Sequence, residues 1–230
     1  MDDGDRGDEA RPDPKIVRVG GLANALQSEL DQAGSPYRAV PSASAVRNSR
    51  TAVVESGERC VRVFVDDRQP GFIVSLKEGN AAVVRGVAPD LVSTADVVHN
   101  WVSGARGSEM AAVWPFLGSV ELHRAREHGE TVEFQWRHLY ENPGRQDHWL
   151  LLHPFVALAF HEPRLRVLLP WTAMWTLCFS DSTRNKLAPS VEPVRHEKEI
   201  FVVKAYREEI GRATAAGSLA LVLSTLQTIT

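Results

Sequence analysis

The chain has 230 residues, 43% of them hydrophobic and 24% charged, with a net charge of −3. That is the range of an ordinary soluble globular protein, and a chain of this length buries roughly 70% of its unfolded surface. Two cysteines without a CxxC pair exclude a disulfide scaffold and a cysteine zinc site. No basic segment followed by an apolar run opens the chain, and the apolar block 156–160 is far too short to span a bilayer, so the expectation is a soluble, cytoplasmic protein with reduced thiols.

Charge is unevenly placed. Residues 1–14 hold six acids and two arginines, a local net of −4, which leaves the rest of the chain at +1. So few apolar groups cannot offset the entropy of ordering that segment, and it is expected to be a disordered acidic tail. Arginine outnumbers lysine 21 to five, but the arginines are scattered among acids, which argues against a nucleic-acid stripe.

The first predicted element is a helix over 21–33, where Leu22, Leu26 and Leu30 recur every four residues and Gly34 supplies the stop. After a turn-rich stretch, four strands follow as a meander: 51–55, 59–66, 72–77 and 81–85. Within the second of these, Val61, Val63 and Val65 alternate against Cys60, Arg62 and Phe64. Ser93 with Asp96 predicts a capping box opening a helix over 94–103. A linker carries Trp114-Pro115-Phe116. A long helix is predicted over 119–141, although Gly129 weakens it by about 1 kcal/mol relative to alanine.

The second half repeats this order: a helix over 148–161, a helical turn from Pro163, strands at 172–180, 190–195, 199–206 and 210–213, and a last helix after Thr214. The predicted fold is therefore α+β, two α-β-β-β-β-α-like halves with antiparallel sheets joined by a long helix. Its divisions are a tail, 1–14; an N-terminal half, 15–104; a linker and long helix, 105–147; and a C-terminal half, 148–230. The repeated order suggests an internal duplication, which requires the same strand order in both halves.

The segment 148–181 concentrates the chemistry, with three of the six tryptophans, three of the eight histidines and Cys178. Alternation along 171–180 puts Trp171, Trp175, Leu177 and Phe179 on one face, and Thr172, Met174, Thr176 and Cys178 on a mixed-polarity face suited to a ligand. His148 and His153 are the acid/base candidates, and Cys178 the nucleophile candidate. His153, just before Pro154, is expected at a helix N-cap. His148–His153 and His123–His128 are both spaced by five, not the four of a helical metal pair, and no metal or cofactor is expected. The chain has no G-x-S-x-G, no G-x-G-x-x-G and no phosphate loop. Trp114 and Phe116 suit either a partner anchor or a staple holding the linker to the core.

WPFL at 114–117, EPRLRVLLPWTAMWTLCFS at 162–180 and GGLANALQSELDQAG at 20–34 resemble an uncharacterised actinomycete family labelled "natural product biosynthesis protein". Ala173 stands where that family carries serine, and Asp181 where arginine is common. The resemblance implies a setting, specialised-metabolite biosynthesis, and no catalytic residues. The functional expectation is a non-catalytic accessory protein that binds a peptide, carrier or enzyme partner through Trp114, Phe116, Thr172, Met174 and Thr176, with no nucleic acid and no membrane. The alternative is a cofactor-free enzyme with a pocket beside 172–180, in which His148 or His153 lies within about 3 Å of a hydroxyl or thiol.

Overall fold

Alternating valines build the first sheet. In a computed structural model that describes residues 19–42, 48–66, 70–79, 81–142, 147–173, 175–181, 186–194, 196–197, 199–205 and 208–229, its strands are β1 (Val40–Pro41), β2 (Thr51–Ser56), β3 (Arg59–Phe64), β4 (Phe72–Glu78) and β5 (Ala81–Ala88), paired antiparallel in chain order. The short β1 is a strand that the turn-rich sequence before it conceals. The expected acidic tail lies outside the described residues.

One face of this sheet carries Ala52, Val63 and Val74 in one cross-strand row and Val54, Val61 and Leu76 in the next, all buried. Helices α1 (Leu22–Gln32) and α2 (Leu91–Val102) cover that face together and pack on each other. Helix α2 starts three residues earlier than its capping-box reading, because the Asp90 carboxylate accepts from the Ser93 N–H at 2.7 Å. Its other end is closed by Arg59, which donates to the carbonyls of Trp101 and Ala105 and lies 4.3 Å from the Trp101 ring centroid. A cation at a helix C-terminus also complements the backbone dipole.

Beyond α2 come α3 (Gly107–Val113), a 3-10 turn at Pro115–Leu117, and α4 (Val120–Glu127). The chain divides into two compact units, Met1–Arg124 and Ala125–Thr230. The helix expected over 119–141 is two helices, α4 and α5 (Thr131–Glu141). Gly129 breaks it by adopting φ 74°, and the Glu130 N–H turns back to the Ala125 carbonyl. Glycine alone takes that conformation cheaply.

The second unit continues with α6 (Asp147–Ala159), α7 (Pro163–Arg166), β6 (Leu169–Ala173), β7 (Thr176–Asp181), β8 (Lys186–Pro193), β9 (Ile200–Ala205), β10 (Glu208–Thr214) and α8 (Ala215–Ile229). Its strands too are antiparallel neighbours in chain order, the order the duplication requires. Helices α6 and α8 pack on each other over the face that carries Leu177, Phe179, Val191, Phe201 and Val203. Phe155 stands 6.4 Å from Phe179 and 6.0 Å from Phe201 between ring centroids, and Trp136 stacks on Phe179 at 5.8 Å. The Trp136 indole N–H donates to the Leu168 carbonyl, so its burial leaves no unmade hydrogen bond. Each such aromatic contributes roughly 1.5–3 kcal/mol by burial. The fold is α+β, with two five-stranded antiparallel sheets. Among the described residues no helix is long and apolar enough to cross a membrane.

Candidate functional site

The strand expected over 172–180 is a hairpin, and this rearranges the candidate residues. Ala173 pairs with Thr176, Thr172 with Leu177, and Trp171 with Cys178. Thr172 therefore shares a face with Leu177, toward the helices, whereas Thr176 and Cys178 lie on the outer face. The single polar face of Thr172, Thr176 and Cys178 does not form. The tryptophans are not all packing residues either, since Trp171 sits on the outer face of the edge strand with 39% of its surface exposed. Met174 lies outside the described residues.

Along that outer face the register aligns Trp171, Cys178, Ser190, Lys204 and Glu209 across the five strands. Its charges are matched: Lys204 meets Glu192 at 2.6 Å, and Arg212 meets Glu209 at 2.9 Å. Burial pushes the Cys178 thiol above the ordinary thiol range. A nucleophilic thiol needs the opposite shift, from a cation or a helix start. Cys60 in the first unit is raised as well, by burial first and then by its hydrogen bond to Glu55.

The histidine candidates belong to the helical side. His153 is not at an N-cap: Pro154 lies inside α6, a position that removes one backbone hydrogen bond, and His153 stacks on Tyr140 at 6.4 Å. The core rows place α6 against the face bearing Leu177 and Phe179, so His153 and Cys178 lie on opposite sides of the sheet. The His148 side chain is outside what the structure describes. Among the described residues no group of three or more His, Cys, Asp or Glu is placed to hold a metal ion.

Around Tyr140 the helices assemble a cluster that sequence reasoning missed. Tyr140 stacks on Phe160 at 4.3 Å, and His161 meets both rings edge-on at 5.8 and 5.3 Å. The Arg166 guanidinium lies 4.2 Å from the Phe160 centroid and 5.7 Å from that of Trp136, and pairs with Glu133. The sequence Glu162-Pro163-Arg164-Leu165 is what brings Arg166 there. The Glu162 carboxylate caps α7 through the Arg164 N–H, Pro163 takes the first helical position, Arg164 donates to the Leu223 carbonyl of α8, and Leu165 is fully buried. The motif is thus a structural device that seats one arginine among aromatics, a signal visible in sequence only as Glu-Pro before a short helix.

Trp114 and Phe116 both pack on the core of the first unit. A Cβ on Gly86 of β5 would collide with the Phe116 carbonyl, so glycine at that position is what lets the Pro115–Leu117 turn lie against the sheet. His123 is buried beneath it, its Nε2 2.9 Å from the Leu117 carbonyl. Of the two roles the sequence allowed for this motif, the geometry is that of a staple.

Three of the exposed large hydrophobic residues lie on α6. Leu150, Leu151 and Leu158 are 54%, 41% and 41% exposed, and Pro154 between them is exposed as well. Spacings of three, four and seven put these residues on one helix face. Its other side, through Leu152, Phe155, Val156 and Ala159, is buried in the core.

Residues 130–228 match a family of unknown function, DUF6193. That match covers the second unit from α5 to α8. No curated protein matches the chain, and no solved structure does.

Proposed function

We propose that this protein is a non-catalytic recognition protein, an accessory of specialised-metabolite biosynthesis in the cytoplasm, that binds a peptide, carrier or enzyme partner through its second unit. The observation that carries this reading is the apolar outer side of α6, Leu150, Leu151, Pro154 and Leu158. A helix that is hydrophobic on both sides is ordinarily buried on both. Contiguous apolar surface of this kind marks interaction sites. A partner helix or an apolar carrier surface fits it. The setting rests on the resemblance of the 114–117, 162–180 and 20–34 segments, and the cytoplasmic placement on Cys60 and Cys178 both being free thiols.

Calorimetric titration of the purified protein against the proteins encoded by adjacent genes tests the reading. One of them is expected to bind saturably, and Leu151→Glu with Leu158→Glu is expected to weaken that binding by at least tenfold, or about 1.4 kcal/mol. Both positions are exposed, so the variant keeps its fold. Unchanged affinity in the double variant sinks the proposal, and so does saturable turnover of a cluster substrate by the purified protein alone.

A further inference from the structure

The first sheet has an outer face unlike that of the second. Register places Arg62 on β3, Ser75 on β4 and Arg85 on β5 in one cross-strand row, which Val53 of β2 and Val40 of β1 continue. In the next row Cys60 is opposite Lys77, and in the row on the other side Phe64 is opposite Ile73. Arg62 and Arg85 are exposed and Lys77 is half-buried. Strands two places apart in a sheet are about 10 Å apart, so Arg62 and Arg85 flank Ser75 in that row. Arg85 leans across, its Cζ 4.9 Å from the Phe64 centroid. Beneath these side chains Val53 and Ile73 are buried, although neither belongs to the core under the helices. Long cationic side chains cover apolar surface in this way while keeping their heads in water.

None of the three cations meets a carboxylate within ion-pair distance among the described residues. Glu55, an acid on this face, stands opposite Cys60 in the neighbouring row. The outer face of the second sheet, built on the same topology, matches its cations to Glu192 and Glu209. A cluster of positive charge on one sheet face, with Ser75 in the row between two arginines and an aromatic ring against one of them, is complementary to a run of carboxylates. Arginine clusters read acidic motifs by these contacts. The net charge of −3 for the whole chain does not oppose this, because charges more than about 8–10 Å away are screened at physiological salt.

The geometry points to an acidic protein segment as the ligand of this face: carboxylates of the partner are held by Arg62 and Arg85 over Ser75, and Lys77 supplies a third positive contact. This surface is separate from the α6 leucines and does not depend on their role. The test is fluorescence anisotropy of a labelled decaglutamate peptide titrated with the full chain at low salt. Saturable binding is expected, weakened at least tenfold by Arg62→Gln with Arg85→Gln, weakened by added salt, and unchanged by Arg212→Gln on the second sheet's outer face. Ser75→Asp, which places a carboxylate between the two guanidiniums, is a second route to the same loss should the double variant fold poorly. The proposal is overturned if the peptide does not bind, if a folded double variant binds it as well as the parent does, if Arg212→Gln weakens it equally, or if a single-stranded oligonucleotide of equal charge binds more tightly than the peptide.

Discussion

The two units share an order and differ in what they expose. Each has a helix before a five-stranded meander and a helix after it, and in each the two helices pack on each other over one sheet face. In the first unit the uncovered side of the leading helix is polar, with Asn24, Ser28, Asp31 and Gln32 exposed, whereas the corresponding side of α6 is leucine. The sheets' outer faces differ in the other direction. The second pairs Lys204 with Glu192 and Arg212 with Glu209, and the first holds three cations that meet no carboxylate among the described residues. The core rows specify the architecture in both units, while the surface rows, free of packing, are where the two units differ.

The largest expected effect tests whether the cores are independent. Phe179→Ala removes a ring that touches both Trp136 and Phe155, and should cost about 3–5 kcal/mol. Native-state hydrogen exchange is expected to show that loss in β6–β10. An equal loss in β1–β5 would mean that the two units unfold as one. Gly86→Ala acts in the first unit alone, by pushing a Cβ into the Phe116 carbonyl. About 1–3 kcal/mol is expected, read by chemical denaturation with a shift in tryptophan fluorescence as Trp114 is released from the sheet.

Smaller effects follow at the caps and surfaces. Glu162→Ala removes the side-chain cap of α7, for about 1 kcal/mol, and should loosen Arg166 from Phe160, seen as loss of the ring-current shift of the Arg166 side-chain protons. The two outer faces separate under single charge removal. Lys204→Ala breaks a pair whose members are about one-third exposed, so about 0.2–1 kcal/mol is expected at low salt. Arg62→Gln should stay within about 0.5 kcal/mol. Equal costs at the two sites would erase the contrast between paired and unpaired faces.

The thiols give a pH test. Burial raises both Cys60 and Cys178, so a folded pKa above the unfolded one disfavours the thiolate. The stability gained by keeping the thiols neutral is complete below the unfolded thiol pKa and is lost as pH rises through the folded value. Alkylation by iodoacetamide is therefore expected to be slow near neutral pH in the folded protein and to speed up on unfolding in urea. Fast alkylation of Cys178 in a Cys60→Ser variant at neutral pH would restore it as a nucleophile candidate.

Much of the fold was legible in the chain. The four-residue recurrence of Leu22, Leu26 and Leu30 marked α1, and the valines of β3 marked a half-buried strand. Legibility failed where local chemistry carried no signal. The two residues between Ala173 and Thr176 are Met-Trp, without the glycine, asparagine or aspartate that announces a hairpin, so β6 and β7 looked continuous. Gly129 was visible as a weak point, but a single glycine does not say whether a helix tolerates it or stops; its positive φ decided that. Among the site residues, Trp114 and Phe116 were legible as a compact apolar motif and Cys178 as a thiol without a basic neighbour in sequence. Arg166 was not legible at all, because its partners Trp136 and Glu133 come from α5 and Phe160 from the turn that follows α6.

The sequence by itself determined the α+β class and most of the helices and strands, because helix and strand periods are local properties of the hydrophobic pattern. Only the tertiary structure decided which side chains share a surface. In a sheet, moving one residue along a strand reverses every face, and pairing Thr172 with Leu177 rather than continuing the strand placed Thr172 inward and Cys178 outward. The same register arithmetic set Arg62, Ser75 and Arg85 in one row. Such rows are made by strands many residues apart, and no local pattern in the chain records them.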